Sequence, residues 1–72
     1  MTTDNQKLTP RESQVLELIA SGCTYSQTAE RLGISLHTVT SHIKNLYRKL
    51  DVHSAAAAVM RAVQRQLLGR TT

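Results

Sequence analysis

The sequence predicts an all-α domain of four helices around a single core. Three observations carry this reading. Apolar residues recur at spacings of three and four, a hydroxyl residue stands just before each run, and glycine or a short polar link follows it. Alternating β-branched residues, the mark of a strand, nowhere extend over four positions. Seventy-two residues hold one domain, which buries roughly 60% of the surface its unfolded form exposes.

Thr9-Pro10-Arg11-Glu12 opens the first helix: Thr9 is the cap, Pro10 fits the first helical position, and Glu12 closes a capping box. Val15, Leu16, Leu18 and Ile19 form its apolar stripe, and Gly22 is the expected left-handed stop. Thr24 with Gln27 starts a short second helix that turns Ala29 and Leu32 inward and stops at Gly33. Ser35 caps a third helix from Leu36 to about Leu50, with Leu36, Val39, Ile43, Leu46 and Leu50 as its core face. Asp51-Val52-His53 links it to a fourth helix, capped by Ser54 and running from Ala55 to Leu68. Residues 1–7 read as a flexible leader and 69–72 as a frayed tail, leaving 8–68 as the domain. The expected core is Leu16, Ile19, Ala29, Leu32, Val39, Ile43, Leu46, Leu50 and Val59.

Charge and composition narrow the function. Nine Lys and Arg oppose five Asp and Glu, for a net charge of +4. Four cations (Arg31, Lys44, Arg48 and Lys49) and no acid lie between residues 31 and 49. Such a local field suits a polyanionic partner. Tyr25 and Tyr47 are the only aromatic residues, too few for a platform that stacks single-stranded bases. No apolar run reaches the roughly 20 residues of a membrane span, and no signal peptide is legible. The lone Cys23 fits a reducing compartment, so the expected location is the cytoplasm. His37 and His53 lack cysteine partners at zinc-binding spacing, and no nucleophile stands with a base, so neither a metal, a cofactor nor an enzyme is expected.

The second and third helices, joined by a tight turn with Ala29 four residues before Gly33, describe a helix-turn-helix. Ala29 keeps the crossing close, and Gly33 supplies the positive φ of the turn. Opposite the core face of the third helix lie His37, Thr40, Ser41, Lys44 and Arg48, with no carboxylate among them. A helix presented this way fits the major groove of double-stranded DNA, where base edges display a readable pattern. Lys44 is the best single base reader by this argument, while Thr24, Ser35 and Thr38 add hydroxyls at helix starts suited to phosphates. His42 is expected to be packed beside the apolar stripe.

Leu8 to Glu12, Val15-Leu16, Ile19-Ala20, Gly22, Ala29 to Leu32, Ile34-Ser35, Thr38-Val39 and His42 to Asn45 together resemble the LuxR/GerE-type DNA-binding domain. Tyr47 to Leu50 with Val52-His53-Ser54 is similar to its NarL/FixJ response-regulator group. The resemblance covers residues 8 to 68 without an insertion. It implies a three-helix core with a C-terminal dimerisation helix, and a bacterial transcription regulator working as a homodimer. Base reading would fall on Thr40, Ser41 and Lys44, and backbone contact on Thr24, His37, Thr38, Tyr47 and Arg48, to which the helix-start argument adds Ser35.

This sequence departs from the family pattern at Thr40 (often Lys), at Gln27-Thr28 (often Glu-Ile) and at Ala55 (often Arg). The fourth helix carries more apolar residues than one face needs, and its surplus around Ala58, Ala62 and Gln66 is the expected two-fold contact. The chain reads either as a stand-alone regulator or as the C-terminal domain of a longer response regulator. The rival reading is a module like sigma-factor region four, acting through protein contact with RNA polymerase.

Overall fold

A computed structural model describes residues 7–65. Its order is α1 (Pro10–Ala20), α2 (Tyr25–Leu32), α3 (Leu36–Leu50) and α4 (Ala55–Gln64). Helix α4 ends at Gln64 with Arg65 as its C-cap, short of the expected Leu68; residues 66–68 lie outside the described residues. The starts follow from local chemistry. Thr9 Oγ1 accepts from the Glu12 N–H at 3.1 Å while Glu12 Oε1 accepts from the Thr9 N–H at 2.9 Å. Thr24 and Gln27 repeat this reciprocal pair, and Ser35 and Ser54 cap α3 and α4. Each such cap contributes about 1 kcal/mol.

The ends are equally local. After α1, the Gly22 and Cys23 N–H groups return to the carbonyls of Ile19 and Leu18, a closure that needs the positive φ of Gly22 (102°). Gly33 (φ 69°) closes α2 in the same manner. Asp51 does so after α3 with φ 59°, although it is not a glycine. Aspartate tolerates the left-handed region better than most residues.

Helix α3 is the hub: it packs on α1, α2 and α4, and α1 also meets α2 and α4. Val39, Leu46 and Leu50 are fully buried and Ile43 nearly so, joined by Val15 and Leu16 of α1 and Ala29 of α2. Ile19, Leu32 and Val59, expected inside, are only partly buried and pack against this core. Leu36 is a clearer departure. It is 49% exposed, because it is the first residue of α3 and stands at the outer end of the stripe. Several buried residues lie outside the expected core, Glu12, Ala58 and Ala62 among them. Val52 of the α3–α4 link is inside, and so is Thr28, whose hydroxyl donates to the Thr24 carbonyl at 2.9 Å. With its hydroxyl thus satisfied, Thr28 enters the core without the cost of an unpaired polar group.

Two side chains fasten α3 to its neighbours. Lys49 Nζ lies 2.8 Å from Glu12 Oε1 and 3.1 Å from the Lys7 carbonyl, tying α3 to the start of α1. Arg61 of α4 donates through Nη1 to the Leu50 carbonyl at 2.7 Å. That carbonyl belongs to the negative end of α3, where a cation is favoured. Arg61→Ala should therefore lower stability by about 1–2 kcal/mol. Urea unfolding checks this: the midpoint falls while the slope stays unchanged.

Candidate nucleic-acid interface

The α2–turn–α3 unit is built by few constraints. Ala29 is 7% exposed, so any larger side chain would press the two helices apart. The carbonyl of Ala29 accepts from the Ile34 N–H at 3.1 Å, which fixes the turn through Gly33. With Val39, Ile43, Leu46 and Leu50 held inward, the opposite side of α3 must face out. His37, Ser41, Lys44 and Arg48 are exposed there, while Thr38, Thr40 and Tyr47 are half-buried at its flanks.

Several hydroxyls on and beside this surface are engaged locally. Thr40 Oγ1 donates to the Leu36 carbonyl at 3.1 Å. Ser35 Oγ lies 2.9 Å from Thr38 Oγ1 and also accepts from the Thr38 N–H. Thr24 Oγ1 accepts from the Gln27 N–H at 3.0 Å at the exposed start of α2. The Tyr47 hydroxyl stands 3.4 Å from that of Tyr25, linking α3 to α2 at the limit of a hydrogen bond. Burial, then the neighbouring Tyr25 hydroxyl, pushes the Tyr47 phenol up to about 12, so it stays neutral in any physiological medium. A shallow groove at the C-terminal end of α3 is lined by Lys44, Tyr47, Arg48, Asp51, Val52 and His53.

Not every cation of the local field faces outward. Lys49 does not contribute a free cation to the outward face; its ammonium is committed to Glu12 on the far side of α3. Glu12 is 4% exposed. Burial alone would raise its pKa, but the hydrogen bonds from Lys49 and the Thr9 N–H, with the charges of Lys49 and His42, hold it below the ordinary carboxylate value. His42 is half-buried on that same side, as its position beside the stripe suggests. Ala58 and Ala62, expected as a surplus surface for a partner, are both 0% exposed. They are the core face of α4, small because α1 and α3 approach closely there. Gln66 lies outside the described residues. The large apolar residues that α4 leaves exposed are Met60 and Val63, 63% and 53% exposed and one turn apart.

Residues 6–62 match the family model of bacterial regulatory proteins of the luxR family. The chain belongs to this LuxR family. It is 46% identical over 63 residues to the transcriptional activator protein CarR of Pectobacterium carotovorum, covering 88% of this chain and 26% of that protein. A nitrate/nitrite response regulator protein homolog of Haemophilus influenzae is 53% identical over 53 residues, covering 74% of this chain and 26% of its own. The response regulatory protein YgeK of Escherichia coli K12 is 44% identical over 63 residues, covering 88% and 42%. Among solved structures, the response regulator ChrA of a heme-sensing two-component system superposes with a TM-score of 0.83 at 36% identity, over 85% of this chain and 30% of its own. The LuxR-type domain thus spans between about a quarter and two fifths of the length of these relatives. Its four helices and their order are those the resemblance implied. Among the described residues no helix is long and apolar enough to cross a membrane.

Proposed function

We propose that this LuxR-type domain binds double-stranded DNA sequence-specifically, with α3 in the major groove, as part of a bacterial transcription regulator. One observation carries the reading: the core holds α3 so that its outward side, His37 to Arg48, has two cations, small polar groups and no acid. The first turns of α2 and α3 are also free of acids, leaving their N-terminal poles available to phosphates. In this reading Thr40, Ser41 and Lys44 meet base edges. Thr24, Ser35, His37, Thr38, Tyr47 and Arg48 hold the backbone. Tyr47 does so as a neutral donor, given its raised pKa.

Two copies assemble through α4, and the contact is built on Met60 and Val63 in place of the buried alanines. Isologous pairing of one such face suits a two-fold DNA site. The domain acts in the cytoplasm, where the DNA is. Contact with RNA polymerase accompanies DNA binding and does not replace it, because the outward face of α3 is complementary to a polyanion.

Lys44 and Arg48 separate reading from holding. Lys44→Ala should cost on the order of 1–3 kcal/mol on the preferred site and flatten discrimination at one or two base pairs. Arg48→Ala should weaken binding to all sequences alike and lower the salt slope by about one per subunit. Selection from a randomised duplex library at two salt concentrations tests both. Binding that is indifferent to salt would point to protein docking as the primary role.

A further inference from the structure

Along one flank of α3 three residues stand in line at intervals of four: Leu36 at the exposed end of the core stripe, half-buried Thr40, and exposed Lys44. At 1.5 Å per residue each interval is about 6 Å. Lys44 ends the line with an ammonium. Leu36 begins it with a large apolar side chain, 49% exposed on a helix whose other apolar residues are turned inward. Between them, Thr40 has its hydroxyl turned back to the Leu36 carbonyl at 3.1 Å. With the oxygen engaged by the backbone, the methyl is the group that half-buried Thr40 has left to meet a partner. The first half of this line is therefore apolar, although the residue type at position 40 suggests a hydrogen-bonding reader.

The major groove presents one apolar group, the C5-methyl of thymine, and a threonine methyl or an aliphatic side chain packs against it. We infer that Leu36 and Thr40 form an apolar reader for a thymine methyl, making Leu36 a specificity-determining residue of this interface. The inference rests on α3 being the groove-reading helix. Lys44, one interval further along, faces a guanine roughly two base pairs away, since stacked bases are about 3.4 Å apart. The preferred half-site accordingly holds a thymine and a guanine at that spacing, with the thymine toward the start of α3.

The methyl can be deleted from the DNA without touching the protein. Sites are first selected by the 72-residue chain from a random duplex library, and each thymine of the preferred site is then replaced by deoxyuridine. One such replacement should weaken wild-type binding about fourfold, the value of one buried methyl. Leu36→Ala and Thr40→Ser proteins should bind the thymine site more weakly and lose less than about twofold on the same replacement. Thr40→Ser keeps the hydroxyl and its bond to the Leu36 carbonyl, and Leu36 is half exposed, so both variants should keep the wild-type thermal midpoint within a few degrees. A preferred site that tolerates deoxyuridine at every position would overturn the apolar reader and leave DNA reading by Lys44 intact. So would a methyl effect that is equally large in all three proteins. A wild-type chain that enriches no sequence at all would instead overturn the groove-reading function, and this inference with it.

Discussion

Ala62→Glu should leave the domain without a cooperative unfolding transition, whereas Met60→Glu, two residues earlier on the same helix, should leave it folded. Ala62 is fully buried where α4 lies on α1 and α3, so a glutamate there must displace packed side chains and bring an unpaired carboxylate inside. Overpacking alone costs about 1–3 kcal/mol, and the uncompensated charge adds several more. The sum is comparable to the whole stability of a domain this small, about 5 kcal/mol. Met60 is 63% exposed, and exposed substitutions usually fall within about 0.5 kcal/mol. Far-UV circular dichroism through a urea series checks the pair, and sedimentation on a two-fold DNA site adds the second half of the test. Met60→Glu should bind there as a monomer or not at all. A well-folded Ala62→Glu protein with a sharp transition would mean that α4 does not pack as described.

Glu12→Ala is the next largest effect, about 2–3 kcal/mol. The substitution removes the back-bond to the Thr9 N–H and leaves the Lys49 ammonium, whose side chain is only 22% exposed, with the Lys7 carbonyl but no counter-charge. As a cap alone, Glu12 would be worth about 1 kcal/mol. In a domain of this size the larger loss corresponds to a fall in Tm of roughly 10–20 °C. The pH dependence has a definite sign. Glu12 is held below its ordinary value near 4.5, so its contribution is fully present above that value and is lost as pH falls through the folded-state pKa. Glu12→Gln keeps an acceptor for Thr9 but not the charge. It should be less stable than wild type at neutral pH and lose less stability between neutrality and strong acid. Equal acid sensitivity in the two proteins would show that the pair with Lys49 contributes nothing.

How much was legible beforehand follows a physical division. Helix starts and stops are governed by residues within four positions of each other, so Thr9, Thr24, Ser35, Ser54, Gly22 and Gly33 could be placed from the sequence. The core side of α3 was legible too, because its large aliphatic residues contrast with polar ones across the helix. Partners 37 residues apart, such as Glu12 and Lys49, carry no local signal. Lys49 reads as another surface cation until α1 is laid beside it. Helix α4 failed for a different reason. Alanine is small enough for either a tight core or an exposed face, so Ala55 to Met60 has no contrast to show which side is inside. What marks its outside is the size of Met60 and Val63, residues too large for the close approach at Ala58 and Ala62. Asp51 could not be foreseen as a left-handed helix stop, since glycine is the residue that announces one. The Thr40 hydroxyl likewise says nothing in sequence about which way it turns.

The bond from Arg61 to the Leu50 carbonyl bears on the architecture of the DNA site itself. It bridges α4 to the last residue of α3, and the link between them is short, with Val52 buried within it. The two helices therefore move as one bracket. In a pair joined through α4, the distance and angle between the two α3 helices are then set by how the α4 faces meet. A helix-turn-helix dimer addresses half-sites one helical turn of DNA apart, or a multiple of it. On that arrangement the letters read would reside in α3, and the spacing of the two words would be a ruler cut into α4. Substitutions at Met60 or Val63 that preserve the pair would then change the grammar of the operator while leaving its vocabulary alone.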